Sequence, residues 1–166
     1  MKIIVNPKEL EFRNEYDSQL NVYYQGEPFS GVFKYGYEEI EYRLGQATHV
    51  IRYFHNGRKE SEEYLENGSN LETYTWYEDG TVRSEFKYDY SFFNKPGIVL
   101  KTGFSLFPNG KLESKSEKGI SKSFSPSGEL VVNAKYTPEE QYYKEYYLNG
   151  VLKYLSLPSI NVRLGL

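Results

Sequence analysis

The sequence contains no cysteine, only two histidines and one methionine, and no long apolar run. Without cysteine the chain can form neither disulfides nor thiolate zinc sites, and this usage fits a reducing compartment. No stretch approaches the roughly 18 apolar residues that a membrane-spanning helix needs. The N-terminal segment reaches Pro7 and charged residues before an apolar stretch can form, unlike a signal peptide. We therefore expect a soluble, cytoplasmic protein.

Aliphatic residues are also sparse, and the hydrophobic share is 39% with a mean hydropathy of −0.69. Aromatic residues nevertheless make up 17% of the chain, and 18 of them are tyrosines. Tyrosine can lie half buried with its hydroxyl in water, so this composition favours thin sheets over a deep core. The net charge of −3 gives no reason to expect a broad basic face for nucleic acid.

A short motif recurs along the chain, beginning with an aromatic residue or leucine and ending with glycine. Its five copies are Tyr53–Gly57, Trp76–Gly80, Leu106–Gly110, Phe124–Gly128 and Tyr146–Gly150, and a degenerate copy lies at Tyr64–Gly68. The residue before each glycine is Asn, Asp or Ser, and Pro108 and Pro126 stand two before it. This pattern predicts a three-residue hairpin loop, a type I turn followed by one left-handed residue.

The last loop position favours glycine because a Cβ is costly in the left-handed region. We therefore assign a structural turn role to five glycines, Gly57, Gly80, Gly110, Gly128 and Gly150. Because this role explains them, none is left over for a phosphate-binding loop.

The turn fixes the strand register and so sorts the side chains onto two faces. One face pairs Tyr53 with Lys59, Trp76 with Val82, Leu106 with Leu112, Phe124 with Leu130 and Tyr146 with Leu152. It continues through Ile51, Tyr74, Phe86, Phe104, Val132 and Tyr154, and we expect it to be the packed face. The other face is mostly polar but keeps an aromatic row of Phe54, Tyr77, Phe107 and Tyr147. That row is either cross-strand cover or a partner-binding stripe.

The repeats predict an all-β fold, a single elongated and curved antiparallel sheet of stacked hairpins in one layer. We expect one repeat domain over residues 1–166. It comprises an N-terminal cap at 1–20, hairpin repeats at 21–155 and a C-terminal tail at 156–166. Lys95-Pro96-Gly97 marks a turn within an insertion loop near residues 89–99. Residues 137–141 form either a loop or one helical turn.

No catalytic constellation stands out in the sequence. His49 and His55 lack the spacing of a metal site. The clustered glutamates at 38–41 and 60–66 are typical of the charged solvent face of a strand, although paired carboxylates also serve acid–base catalysis. The serines show no nucleophile elbow. We expect neither an enzyme nor a cofactor or metal site.

The repeat unit, aromatic-x-x-Asn/Asp-Gly-x-Leu followed by a polar strand, resembles the variant MORN repeat of bacterial YwqK-type toxin–antitoxin system antitoxins. The segment from Tyr23 to Val32 is similar to the motif that precedes the first full repeat in that family. The resemblance covers roughly residues 20–155. It implies a MORN-like hairpin sheet and a non-catalytic antitoxin or immunity protein that binds and neutralises a cognate toxin, with no nucleic acid or membrane partner.

The same surface also suits a structural scaffold or a carbohydrate-binding sheet that uses exposed aromatics. The lack of an export signal argues against the carbohydrate alternative. In the protein-binding interpretation, the candidate partner-binding residues are Phe54, Tyr77, Phe107 and Tyr147.

Overall fold

A computed structural model describes residues 4–5, 7–15, 19–90, 100–136, 142–156 and 161–163. Within these ranges the protein is all-β and built from antiparallel hairpins, as the sequence predicts. The chain divides into two compact units, unit 1 at residues 1–82 and unit 2 at residues 83–166. Most of the predicted insertion loop, including Lys95-Pro96-Gly97, lies outside the described residues. So does the predicted loop or helical turn at 137–141.

Unit 1 consists of two sheets. Its strands are β1 (Ile4–Val5), β2 (Leu10–Glu15), β3 (Gln19–Tyr24), β4 (Glu27–Pro28), β5 (Gly31–Tyr35), β6 (Glu38–Arg43), β7 (Gln46–Tyr53), β8 (Lys59–Glu66) and β9 (Ser69–Trp76). The larger sheet has the order β1-β5-β6-β7-β8-β9, and the smaller has the order β2-β3-β4. Strand β1 runs parallel to β5, and the other neighbours are antiparallel. A 3₁₀ turn spans Pro7–Glu9.

Unit 2 is an antiparallel meander. Its strands are β10 (Val82–Asp89), β11 (Leu100–Leu106), β12 (Leu112–Glu117), β13 (Ile120–Phe124), β14 (Leu130–Tyr136), β15 (Tyr142–Leu148), β16 (Val151–Ser156) and β17 (Asn161–Arg163). Each strand pairs with the next along the chain. The predicted C-terminal tail therefore contains a strand, β17, which extends the sheet beyond β16.

The loops that end in Gly57, Gly80, Gly110 and Gly128 have the predicted three-residue geometry. In each, the glycine N–H donates to the carbonyl three residues earlier at 2.8 or 2.9 Å. The glycines have φ between 77° and 97°, in the left-handed region. The side chain before the glycine supports the turn, because Asn56, Asp79 and Asn109 each accept the backbone N–H two residues ahead.

The fifth loop differs from the prediction. Asn149 and Gly150 both have positive φ, 51° and 73°, and Leu148 pairs directly with Val151. This is a two-residue type I′ turn, which needs two left-handed residues. Asn-Gly suits that turn as well as the three-residue loop, and the motif alone does not distinguish them. The degenerate copy at Asn67-Gly68 is also a type I′ turn, with φ of 49° and 74°.

The prediction of the packed face is wrong in unit 1. The described core contains Phe33 and Tyr42, and Val50 is buried nearby. Phe33 and Val50 both pair with Ile40, so they lie on the face that carries Arg52 and not on the face of Ile51 and Tyr53. The predicted packed face is half exposed, because the smaller sheet of unit 1 packs against the other face.

The smaller sheet occupies the region predicted as an N-terminal cap and extends beyond it to β4. Leu10, Val22 and Phe29 bring its side chains into the core. Its backbone is joined to the larger sheet at Gly45, which donates to the Phe29 carbonyl at 2.8 Å and accepts from the Val22 N–H at 2.9 Å. A Cβ on Gly45 would lie 3.1 Å from the Val22 carbonyl oxygen. Glycine therefore allows the two sheets to approach at this point.

Unit 2 shows the same error of face assignment. Phe86 pairs with Gly103 and Phe104 pairs with Glu85, so Phe86 and Phe104 point to opposite faces. Val132 pairs with Ser123 and lies on the serine-rich face. In the β11–β12 and β13–β14 hairpins a β-bulge follows the three-residue loop, and its extra residue interrupts the alternation on which the prediction rests.

Short side chains, several of them serines, line much of the buried face of unit 2. Ser84, Phe86, Ser116 and Ala134 are all buried there. Hydroxyls on neighbouring strands bond to one another, Ser105 to Ser114 at 2.8 Å and Ser116 to Ser121 at 2.7 Å. These cross-strand pairs satisfy hydroxyls that burial removes from water.

Candidate functional site

The four residues of the predicted aromatic row are all half buried, but they do not form one row. Phe54 and Tyr77 each stand immediately before a three-residue loop in unit 1 and donate their backbone N–H to the carbonyls of Arg58 and Thr81 at 2.8 Å. By alternation from Arg52 and Thr75, both lie on the core side of the larger sheet. Their role in partner binding stays a prediction.

Phe107 and Tyr147 lie on opposite faces of unit 2. Phe107 follows the face of Ser105, which pairs with Ser114. Tyr147 follows the face of Glu145, which accepts from Asn133 at 2.6 Å, and it donates its own hydroxyl to Glu145 at 2.9 Å. The register of β15 gives this difference, since Tyr146 pairs with Val132 on the serine-rich face and Tyr147 therefore lies on the other.

A different aromatic group stands on the exposed face of unit 1, where the sequence predicted the packed side. We call this surface the tyrosine face and define it by Tyr53, Tyr64, Tyr74 and Trp76. These residues come from β7, β8 and β9; Tyr64 is 40% exposed, and the other three are half buried. The Tyr64 and Tyr74 rings meet edge to face at 6.3 Å, and the Tyr74 and Trp76 rings are stacked at 6.5 Å and 23°.

Glu62 is the electrostatic centre of the tyrosine face. Its carboxylate lies 2.8 Å from Lys59 Nζ and 2.9 Å from His49 Nε2, and it accepts the Tyr64 hydroxyl at 3.2 Å. Burial opposes ionisation of this carboxyl, but the hydrogen bonds from Lys59 and His49 outweigh it and lower its pKa. The Lys59 pKa is raised by the hydrogen bond to Glu62. Glu62 therefore stays ionised at neutral pH and is a poor proton donor.

The same residues fix the rings in place. The His49 ring stacks on Tyr64 at 4.5 Å and 13°, and Lys59 Nζ lies 5.8 Å from the Trp76 ring centroid. A cation over an aromatic face is attracted by the ring quadrupole. Tyr74 donates its hydroxyl to Glu72. The aromatic side chains are thus ordered before any partner arrives.

The tyrosine face is bordered by a second ion pair on β5 and β6. Lys34 Nζ lies 2.7 Å from the Glu39 carboxylate, and this hydrogen bond lowers the Glu39 pKa. Burial raises the pKa of Tyr53, and the negative charge of Glu39 adds to the effect. Both Tyr53 and Glu39 are therefore in the protonation states expected at neutral pH, a neutral phenol beside a carboxylate.

The core side of the same sheet carries a different polar arrangement. Arg52 on β7 bridges Glu38 on β6, at 2.8 Å, and Glu63 on β8. Ser61, next to Arg52 in register, is buried and pairs with Thr75. This ion-pair bridge links the three strands β6, β7 and β8.

The ordered aromatic side chains of the tyrosine face are suited to binding. Across the described ranges, no three histidine, aspartate or glutamate side chains converge to hold a metal ion. No helix among those residues is long and apolar enough to cross a membrane.

The sequence pattern missed the tyrosine face because most of its aromatic residues were assigned to the interior. The signal that identifies it is the smaller N-terminal sheet, which covers the opposite face.

No protein-family model matches the chain, and no curated protein matches it. The resemblance to the variant MORN repeat of YwqK-type antitoxins therefore stays a prediction from the sequence.

Proposed function

We propose that the protein is a binding module without catalytic activity, and that the tyrosine face of unit 1 contacts a protein partner. The observation that carries this proposal is the group of solvent-accessible rings of Tyr64, Tyr74 and Trp76, with Tyr53 on the same side, on a sheet whose other face holds the core. Tyrosine and tryptophan are the residue types most enriched at the centres of protein interfaces. Scattered exposed aromatics need no explanation, whereas a contiguous group suggests an interaction site.

The order of the tyrosine face supports the proposal. Binding usually costs entropy because flexible side chains must be fixed at the interface. Here the rings of Tyr64, Tyr74 and Trp76 already contact one another, and two hydroxyls are held by carboxylates. A rigid aromatic surface reduces the entropic cost of association.

The finer proposal concerns the partner, which we take to be a cognate toxin neutralised by this protein. Its support is the resemblance of the repeats and of the Tyr23–Val32 motif to bacterial antitoxins. In the structure that motif forms the end of β3, the strand β4 and the start of β5, and it contributes Phe29 to the core. A protein that inactivates its partner by occlusion needs surface and rigidity but no catalytic group.

Co-expression tests this proposal. The open reading frame beside this gene is expressed in a heterologous bacterium with and without the protein. We expect the neighbouring product to arrest growth and the protein to restore it. Tyr74→Ala combined with Trp76→Ala should abolish the rescue, while Phe54→Ala combined with Tyr77→Ala, on the opposite face, should preserve it. Absence of toxicity, or of rescue by the wild-type protein at equal expression, would refute the antitoxin assignment.

A carbohydrate ligand is the second candidate, favoured by one observation. The rings of Tyr74 and Trp76 lie nearly parallel, inclined by 23°, and both are solvent-accessible aromatic side chains of the kind that sugar rings pack against. A glycan array separates the two functions. Saturable glycan binding that Trp76→Ala removes, together with no protein complex, would favour the carbohydrate candidate.

A further inference from the structure

A recess lined by lysines lies on the β12–β13 hairpin of unit 2. We call it the lysine recess and define it by Lys115, Lys118 and Lys122, with Ile120 and Glu117. Its volume is about 240 Å³. Ile120 is 37% exposed and gives the recess an apolar element. These residues belong to none of the arrangements described above.

The lysines are placed at a cost to stability. Lys115 and Lys122 are direct partners in the register of β12 and β13, so their side chains leave the sheet on the same face. Like charges directly opposite each other on neighbouring strands are destabilising. The next strand adds Lys135, which pairs with Ile120. The sheet thus gathers positive charge at one place in a chain whose net charge is −3.

Neutralisation within the recess is incomplete. Lys115 Nζ lies 3.2 Å from the Glu117 carboxylate, and both side chains are more than half exposed, at 58% and 53%. Among the residues that the structure describes, Lys118 and Lys122 have no carboxylate partner. An exposed ion pair contributes little, so Glu117 does not offset the repulsion. An anionic group of a bound partner would offset the repulsion between the lysines.

We propose that the lysine recess binds an acidic peptide segment of a protein partner, with carboxylates on Lys118 and Lys122 and an apolar side chain against Ile120. At about 240 Å³ the recess is smaller than the roughly 300–1,000 Å³ of typical small-molecule sites, and it suits one or two side chains. Glu117 repels a continuous phosphate backbone but leaves room for separate carboxylates. The site does not depend on the tyrosine face.

Titration of ¹⁵N-labelled protein tests the proposal. The probe is the acetylated peptide Glu-Glu-Leu-Glu-Glu, and the matched control peptide is Gln-Gln-Leu-Gln-Gln. We expect amide shifts confined to β12 and β13 with the first peptide and none with the second. Lys122→Gln should weaken binding at least tenfold and raise the melting temperature, because it removes both an anion contact and the repulsion of Lys115. Lys8→Gln, which removes one positive charge in unit 1, should leave binding unchanged.

Three outcomes would overturn the proposal. The first is no saturable shift with the acidic peptide at low salt. The second is equal binding by the wild-type protein and the Lys122→Gln variant. The third is binding of inorganic phosphate or of a single-stranded oligonucleotide as tight as that of the peptide, since it would identify a general anion site. Lys122→Arg, which keeps the charge, should retain binding and guards against an effect of misfolding.

Discussion

Gly103 has a conformation and surroundings that other residues cannot accept. It lies within β11 opposite Phe86, with φ of 149°, and a Cβ there would stand 1.9 Å from the Glu85 carbonyl oxygen. Glycine inside a strand often marks such a close approach of backbones. We expect Gly103→Ala to lower the free energy of unfolding by at least about 3 kcal/mol, because the strand β10 must move.

Gly110 provides the matched control in the same unit. Its φ of 77° is also in the left-handed region, but a Cβ would meet nothing within 4 Å. Gly110→Ala should therefore cost only the conformational term of about 1–2 kcal/mol. Chemical denaturation of both variants measures the difference. Equal losses would contradict the close contact at Gly103.

Glu62 makes stability depend on pH in a predictable direction. Its folded pKa lies below the ordinary value of 4.5, so its ionised form stabilises the folded state. This contribution is complete above the unfolded pKa and disappears as pH falls through the folded pKa. Allowing for solvent screening, we expect Glu62→Gln to cost about 1 kcal/mol at neutral pH.

Urea denaturation of wild type and Glu62→Gln across a pH series measures this effect. The difference in unfolding free energy between them should be constant near neutrality and shrink towards zero in strong acid. A difference that persists below the folded pKa would show that Glu62 acts through packing and not through its charge.

At the scale of the elements, the two kinds of turn respond differently to proline. The first loop position holds Pro108 and Pro126 in two of the three-residue loops, and Glu78 occupies it in a third. Glu78→Pro should change stability by no more than about 1 kcal/mol, since proline fits the first position of a type I turn. The equivalent sequence position in the fifth copy is Leu148.

Leu148 pairs with Val151 and so belongs to the strand ladder and not to the loop. Leu148→Pro should therefore cost about 2 kcal/mol or more, because it removes a backbone donor from the ladder. Thermal denaturation of both proline variants decides the point. Tolerance of proline at residue 148 would show that the fifth loop has the three-residue form after all.

The turns were the most predictable elements and the strand faces the least. Four loops follow from Gly and the Asn, Asp or Ser before it, because few residues fit the left-handed position. The fifth copy also carries Asn-Gly, which suits both the two-residue turn and the three-residue loop, so the motif alone does not distinguish them. The β-bulges could not be predicted from the sequence for a related reason. Which residue is the extra one depends on the pairing with the neighbouring strand. The bulge in the β13–β14 hairpin, for example, places Val132 on the face opposite the predicted one.

At the scale of the whole molecule, the sequence predicted the fold class but not the location of the core. The hairpin repeats imply an all-β protein, and the described residues are all-β. The core of unit 1 depends on the small sheet β2-β3-β4, which has no repeated turn signature. Aromatic side chains were assigned to the interior because they are large and apolar. In unit 2 the buried positions are instead held largely by serine and alanine.

The candidate site was accordingly only partly predictable. The sequence predicted an aromatic row on the outer side of the sheet, and the structure contains a group of solvent-accessible aromatic side chains on one face of unit 1. Three of its members, Tyr53, Tyr74 and Trp76, had been predicted on the packed face, and the fourth, Tyr64, had been assigned to neither face. The two faces of unit 1 now present alternative sets of aromatics, and substitutions on each face can be compared within one protein.

Calorimetric titration of the purified protein with the product of the neighbouring gene measures whether the tyrosine face binds the partner. Tyr74→Ala combined with Trp76→Ala should weaken binding by roughly 30-fold or more, as expected for buried aromatic anchors. Phe54→Ala combined with Tyr77→Ala should leave the affinity within about threefold of wild type. The reverse order of effects in folded variants would contradict the account and assign binding to the opposite face.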